Sequence, residues 1–519
     1  MTRAWGTLAR HRQLAVVATG LAALAVAMAV TAVRVPVPVF HDEFSYLLAA
    51  DTFSHGRLAN PPHPLWVHFE TFHTLQQPTY ASKYPPAQGL FLALGQRFAG
   101  HPIAGVWLAG ALAAAACCWM LQAWLPARFA LLGSLLIVFH HGLQFSWHSY
   151  WNGSVSMLGG ALLFGALPRL LRRLRVGTSL LMVLGLVLLA NSRPFLGLVS
   201  SLPAAALLSF HLFGRRGPPA SELIGRFVLP AALAASLAAV GMATYNARVT
   251  GDPWTLPYQA HSERYAYTPS FLFQEPGPIP DYLYDEMRAF YVGWQAAGFE
   301  AQQSLSEAFA RKRESIGFFL TPLLMVPLIT LPWMLRARRM RFAAGTVSLV
   351  FAASLAVAGT HEQYIAPIAP LLFLLVVQGL RQLRLWGRHA HARGPRLVTA
   401  IAFGQVAIFA VGFGLYVAHT PTAWASERAR IQAGLEDTPG KHLVIARYAP
   451  DHSPHEEWVW NRADIDAAKV VWARSLGEER DRALLAHFAD RRLWSLYADR
   501  EPPELVEEDT SSAASDNLR

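Results

Sequence analysis

Long apolar blocks recur along this 519-residue chain. Each is close to the ~20 residues that a helix, rising about 1.5 Å per residue, needs to cross about 30 Å of hydrocarbon. A block of that kind must satisfy its own backbone hydrogen bonds, so inside a bilayer it is helical. The pattern predicts a polytopic α-helical membrane protein with about eleven transmembrane helices. They fall near 12–33, 103–124, 129–147, 153–168, 176–192, 195–213, 227–247, 315–335, 342–359, 365–380 and 397–418. Only 15% of residues are charged and 53% are hydrophobic. That excludes a disordered chain and an ordinary soluble enzyme, in which about 25% would be charged. The first span follows Arg3, Arg10 and Arg12 and has no small-residue cleavage site after it, so it reads as a retained anchor. Cys117 and Cys118 are adjacent within one span, which excludes a disulfide framework and a cysteine-built zinc site.

The net charge of +10 comes from arginines concentrated in alternate connections. These are Arg128; Arg169, Arg172, Arg173 and Arg175; Arg215, Arg216 and Arg226; Arg336, Arg338, Arg339 and Arg341; and Arg381, Arg384, Arg388, Arg393 and Arg396. This is a topology signal, and no nucleic-acid-binding motif accompanies it. It predicts a multi-pass protein of the inner (cytoplasmic) membrane with a cytoplasmic N-terminus. An odd number of spans then places the C-terminal segment in the periplasm.

The opposite connections hold the unusual chemistry. The transmembrane body covers 1–418, with a long first outer loop at 34–102 and a second at 248–314. Within the first loop, Phe44 to Phe53 and Pro86 to Phe98 repeat apolar residues at helical spacing, as surface helices do. Residues 419–500 read as a small soluble α/β domain, with strands at His442–Tyr448, Val470–Arg474 and Arg492–Tyr497 and a helix at 478–489. Residues 501–519 read as a disordered acidic tail.

Asp42 and Glu43 follow the first span directly. Two adjacent carboxylates at the bilayer edge repel each other and lose hydration, so they need a cation, a metal or a task. A carboxylate there suits a general base for an acceptor hydroxyl; Asp42 equally suits the N-cap of the helix after it. Lys83 is one of only four lysines and suits either a phosphate contact or a snorkelling cation. Arg193 is the lone cation in its outer turn, a candidate phosphate clamp or a salt-bridge partner of Asp42 or Glu43. Tyr84, His148, Tyr150, Asn152, His361, Glu362 and Tyr364, with Trp151, suit a sugar or acceptor pocket or an interfacial aromatic belt. His361 and Glu362 are a sparse donor set for a metal. The histidines of the first loop, His55, His63, His68 and His73, match no standard zinc spacing and read as a polar loop. No Walker or dinucleotide loop is present.

The Asp42-Glu43 pair, the two first-loop helices and the Lys83-Tyr84-Pro85-Pro86 segment leading to Leu94-Gly95-Gln96 resemble the GT-C superfamily of glycosyltransferases. Protein O-mannosyltransferases, the lipid A aminoarabinose transferase and bacterial mannosyltransferase-like proteins are the relatives in view. The resemblance covers about residues 10–420 in layout. It implies an inverting transfer of a sugar from a polyprenyl-phosphate donor, undecaprenyl in a bacterium, to an extracytoplasmic acceptor. It implies Asp42 as general base with Glu43 beside it, and Lys83 on the lipid phosphate. In the aminoarabinose transferase the lysine directly precedes proline, whereas Tyr84 intervenes here. Some relatives bind a divalent metal, but no cofactor is required by the residues present. The alternative is a transporter or flippase of a lipid-linked substrate. It would place ionisable groups near mid-membrane, where these spans are nearly free of acids. A non-catalytic scaffold would leave Asp42-Glu43 without a task.

Overall fold

The computed structural model describes residues 3–214, 217–359, 361–386, 393–419 and 423–508. Arg215, Arg216, Arg388 and the tail beyond 508 lie outside them. Among the described residues, seven helices are long and apolar enough to cross a membrane. They become eight if Leu305–Phe319 and Pro322–Met334, bent by 92° at their junction, count as one. The expected eleven are therefore not reproduced by length and composition. The apolar run at 129–147 breaks after Val138 and resumes as the short helix His141–Trp147. Ala127–Val138 and Val176–Ala190 are apolar but short.

The elements that position the site begin with α1 (Arg12–Val33) and α2 (His41–Ser54). A two-stranded antiparallel ribbon, β1 (Thr74–Leu75) and β2 (Ala81–Ser82), follows. Then come α3 (Ala87–Ala99), α4 (Ile103–Trp124), α5 (Ala127–Val138), α6 (Gly153–Leu170), α7 (Val176–Ala190) and α8 (Pro194–Phe213). Farther on lie α9 (Ala220–Thr250), α10 (Leu305–Phe319), α11 (Arg338–Ser354), α12 (Ala369–Trp386) and α13 (Arg393–Ala418). The main apolar core joins α4, α5, α6 and α12, with α6 buried along nearly its whole length. The chain can fold this tightly because glycines sit at the crossings. A Cβ on Gly105 of α4 would meet the Phe91 carbonyl of α3 at 2.0 Å, and one on Gly89 would meet Ala49 of α2 at 2.7 Å.

The first-loop helices occur within three residues of their expected bounds, but α2 does not lie open on a surface. Its buried residues include His41, Glu43, Phe44, Tyr46, Leu48, Ala49 and Ala50, which point in every direction around the helix. One side packs on α3 and the other is covered by the C-terminal domain. Phe44 stacks on Trp460 with ring centroids 4.6 Å apart, and Asp51 accepts the Ala463 N–H at 2.8 Å.

The C-terminal domain consists of α14 (Ala423–Asp437), β3 (His442–Arg447), β4 (Val470–Arg474), α15 (Glu478–His487), β5 (Arg492–Tyr497) and β6 (Glu504–Glu508). The strand order is β4-β3-β5-β6, with β4, β3 and β5 parallel and β6 antiparallel. Strand β6 corrects the expected start of a disordered tail at 501. Its Glu507 pairs with Arg492 across the ladder, so acidic residues there complement the neighbouring strand. The loop after β3 crosses to the transmembrane body. Arg474 at the end of β4 locks it there, paired with Glu286 at 2.7 Å and with Glu457, its guanidinium 4.3 Å from the Tyr284 ring and 4.9 Å from that of Tyr448.

Candidate active site

Helix α2 begins one residue after an extended Phe40 (φ −101°, ψ 148°), which is its N-cap. Asp42 is therefore in the first turn and does not cap a helix starting at Phe44. Glu43 supplies the cap. Its Oε2 accepts the N–H groups of Val39 at 2.9 Å and Phe40 at 3.2 Å, and its Oε1 accepts the Tyr150 N–H at 3.0 Å. Both oxygens are thus taken up by backbone. Burial pushes its pKa up to about 7, against the lowering effect of those three bonds. Glu43 ties the exit of α1 to the turn before α6 rather than facing the same space as its neighbour.

Asp42 faces the ribbon. The antiparallel register pairs Thr74 with Ser82, which leaves His73 and Lys83, ten positions apart, side by side at the open end. The Lys83 N–H donates to the His73 carbonyl at 3.2 Å. The same carbonyl accepts the Ser45 hydroxyl at 2.6 Å, and Ser45 Oγ also lies 2.7 Å from Ser82 Oγ. Ser45 is one helical turn beyond Asp42, so the face that anchors the ribbon also presents the carboxylate to it. His73 Nδ1 lies 2.8 Å from Asp42 Oδ1 and 3.1 Å from the Tyr84 hydroxyl. His73 has φ +58°, the left-handed region, and is the one non-glycine residue there among the described residues. Such backbone persists where surrounding contacts hold it and is concentrated at functional sites.

Burial opposes ionisation of Asp42, but the His73 hydrogen bond, the Lys83 charge and the Tyr84 hydroxyl outweigh it and hold the carboxylate well below its usual range. Burial and the Lys83 charge hold His73 down at about 4, so the ring is neutral near pH 7 and donates Nδ1–H to an ionised Asp42. Lys83 is buried, and burial lowers it to about 7, with Asp42 pulling the other way. Among the described residues its ammonium forms no ion pair within 4.0 Å; it lies 5.2 and 5.4 Å from the ring centroids of Tyr84 and Tyr258. A buried cation with aromatic faces beside it and no ion pair can take an anion.

Arg193 is the residue before α8, with Pro194 at the first helical position. It pairs with neither Asp42 nor Glu43. One terminal nitrogen donates to Asn152 Oδ1 at 3.0 Å, its guanidinium lies 4.4 Å from the Tyr364 ring, and its Nε is buried without a partner. Asn152 in turn donates to the Ser192 carbonyl at 3.1 Å. The Asp42 charge acts on Tyr84, Tyr258, His361 and Tyr364, and the Arg193 charge acts on the last three of these. Asp42, Lys83, Arg193, Tyr84, Tyr258, His361 and Tyr364 therefore form one cluster of mutually interacting groups. Tyr150 supports it from behind, its hydroxyl donating to the Pro36 carbonyl at 3.1 Å. His148 packs at a tilt against Tyr416, with ring centroids 5.5 Å apart. His361 packs edge-on against Trp151 at 4.8 Å.

A divalent ion does not fit beside Asp42, because its neighbours there are two donors and a cation. His361 and Glu362 bring no third ligand among the described residues. A separate trio, His63, Asp466 and His487, joins the first loop to the C-terminal domain, with nitrogen–oxygen distances of 3.2 and 2.8 Å. The Leu65 N–H donates to His63 Nδ1 at 3.0 Å, which leaves the proton on Nε2. Nε2 then donates to Asp466 and is not a metal ligand.

His73 and Ser45 are the residues beside Asp42 that sequence reasoning missed. The one available signal was the ten-residue interval from His73 to Lys83 enclosing Gln77-Pro78, which suits a short ribbon.

No protein-family model matches the chain, and no curated protein matches it. Among solved structures it is similar to the apo oligosaccharyltransferase of Archaeoglobus fulgidus, with TM-score 0.50 and 12% identity over 94% of this chain and 69% of that one. It is also similar to apo ArnT from Cupriavidus metallidurans, with TM-score 0.48 and 13% identity over 91% and 88%. A further A. fulgidus structure, AglB with an inhibitory peptide and a dolichol-phosphate, gives TM-score 0.45 and 12% identity over 92% and 69%. The fold is the GT-C fold that the first outer loop resembled.

Proposed function

We propose that the chain is a membrane glycosyltransferase that moves a sugar from a polyprenyl-phosphate donor to an acceptor hydroxyl outside the cytoplasm. One observation carries the reading. An ionised carboxylate paired to a neutral histidine lies in one cluster with two cations, Lys83 and Arg193, that form no ion pair within 4.0 Å among the described residues. Transfer from a lipid phosphate needs that combination. The phosphate leaves with an added negative charge, which cations stabilise best in a water-poor site. The acceptor hydroxyl must lose a proton, which the Asp42–His73 pair can receive. Lys83 and Arg193 would hold the phosphate, while Tyr84, Tyr258, His361 and Tyr364 would shape the sugar space. Lys83 and Arg193 supply the charge a metal would otherwise bring, so no metal is needed. The arginine-rich turns support a cytoplasmic N-terminus and a periplasmic active site. A bacterial donor would then be undecaprenyl-linked. The test is release of polyprenyl phosphate from sugar-loaded donors by the protein in membranes, lost on Lys83→Gln. Retained release would remove Lys83 from the phosphate site.

A further inference from the structure

The carboxylate and the imidazole of the Asp42–His73 pair are not equivalent acceptors of the acceptor's proton, and the geometry distinguishes them. Asp42 is ionised, so the hydrogen in the 2.8 Å contact must lie on His73 Nδ1. A bare Nδ1 would set lone pair against lone pair. The Tyr84 hydroxyl, 3.1 Å from the same nitrogen, then donates to Asp42 instead. In the neutral ring the remaining nitrogen, Nε2, carries a lone pair. Nε2 has no hydrogen-bond partner among the described residues and is not sealed from solvent. The backbone that holds the ring is also specified. The left-handed His73 is pinned through its carbonyl by Ser45 and by the Lys83 N–H.

We infer that His73 Nε2 is the general base of the proposed transfer and that Asp42 orients the ring and stabilises its protonated form. The inference rests on the proposed function. In the step, the acceptor O–H gives its proton to Nε2 and its oxygen bonds the anomeric carbon of the donor sugar. The bond from that carbon to the phosphate oxygen breaks, and its electron pair leaves on the lipid phosphate. The imidazolium beside Asp42 later returns its proton to water. Proton affinity supports the same order, since Asp42 is held well below the usual carboxylate range and His73 at about 4. The groups acting on His73 are Asp42 and His41 from α2, Lys83 and Tyr84 after β2, His261 from the helix Pro257–Tyr265, and Phe290 and Tyr291 from the π-helical segment Ala289–Trp294. None of them bonds Nε2.

His73→Asn separates the two roles. Asparagine tolerates the left-handed backbone, and its side-chain N–H can replace Nδ1–H toward Asp42. It offers no base at the Nε2 position. If His73 is the base, this variant should lose about 10²- to 10⁴-fold in transfer, as much as His73→Ala, with donor binding retained. If His73 only positions Asp42, His73→Asn should stay within tenfold of wild type, which would overturn the inference while leaving the proposed function standing. A second readout needs no turnover. Ring-¹⁵N histidine spectra of the full-length protein, assigned by the signal missing in His73→Asn, should show the Nδ1–H tautomer at pH 7. The Nε2–H tautomer would overturn the inference.

Discussion

Glu43→Ala removes an acceptor from three buried N–H groups, those of Val39, Phe40 and Tyr150. An unsatisfied buried donor costs about 1–3 kcal/mol, so the gross loss over three donors is about 3–9 kcal/mol, less whatever water recovers in the space left. Glu43→Gln keeps one acceptor oxygen. Directed at Val39 and Phe40, it preserves two of the three bonds and leaves an amide N–H facing the Tyr150 N–H. That variant should lose about 1–3 kcal/mol. Thermal unfolding in detergent would order the three proteins as wild type, Gln and Ala. Hydrogen exchange read by mass spectrometry should localise the loosening to peptides covering 36–43 and 148–152. Because both Glu43 oxygens are committed to backbone, Glu43→Gln should keep its rate per folded molecule within tenfold. A Glu43→Gln protein that melts like wild type and exchanges normally, yet does not turn over, would refute this assignment and put Glu43 in the chemistry.

Lys83 loses its proton as pH rises through about 7, so donor KM should climb between pH 6.5 and 8.5, and Lys83→Arg, charged throughout, should flatten the climb. A flat wild-type profile would contradict the phosphate role. Arg193→Lys cannot span Asn152 and Tyr364 together, and should lower turnover about 10²-fold without lowering the melting temperature by more than a few degrees. Arg474→Met strands Glu286 and Glu457 in the interface and should cost about 3–5 kcal/mol. Limited proteolysis within 448–461 would report it, and unchanged protease resistance would show that the C-terminal domain is held by other contacts.

The helices were legible because their signals are local. Apolar runs announce membrane spans, and the first-loop helices and the β4 and β5 strands repeat at their own periods. The count of spans was not legible, because hydropathy cannot register the bend between Phe319 and Pro322 or the break after Val138. Asp42, Lys83 and Arg193 could be singled out together because topology alone put them on one side. The structural task of Glu43 was not legible beside Asp42. Adjacent helical residues point about 100° apart, and which of the two caps depends on a Tyr150 turn about a hundred positions away. His73 was passed over as one histidine among several. Its importance comes from a backbone angle and a ribbon register, and neither leaves a mark in composition.

The most direct test of the proposed function is donor turnover in membranes by wild type and Asp42→Asn, supplied with a panel of sugar-linked undecaprenyl phosphates. Wild type should release free undecaprenyl phosphate from one donor, and Asp42→Asn, folded and present in equal amount, should release it about 10²- to 10⁴-fold more slowly. Equal release by both proteins would remove Asp42 from the reaction and contradict the site described here.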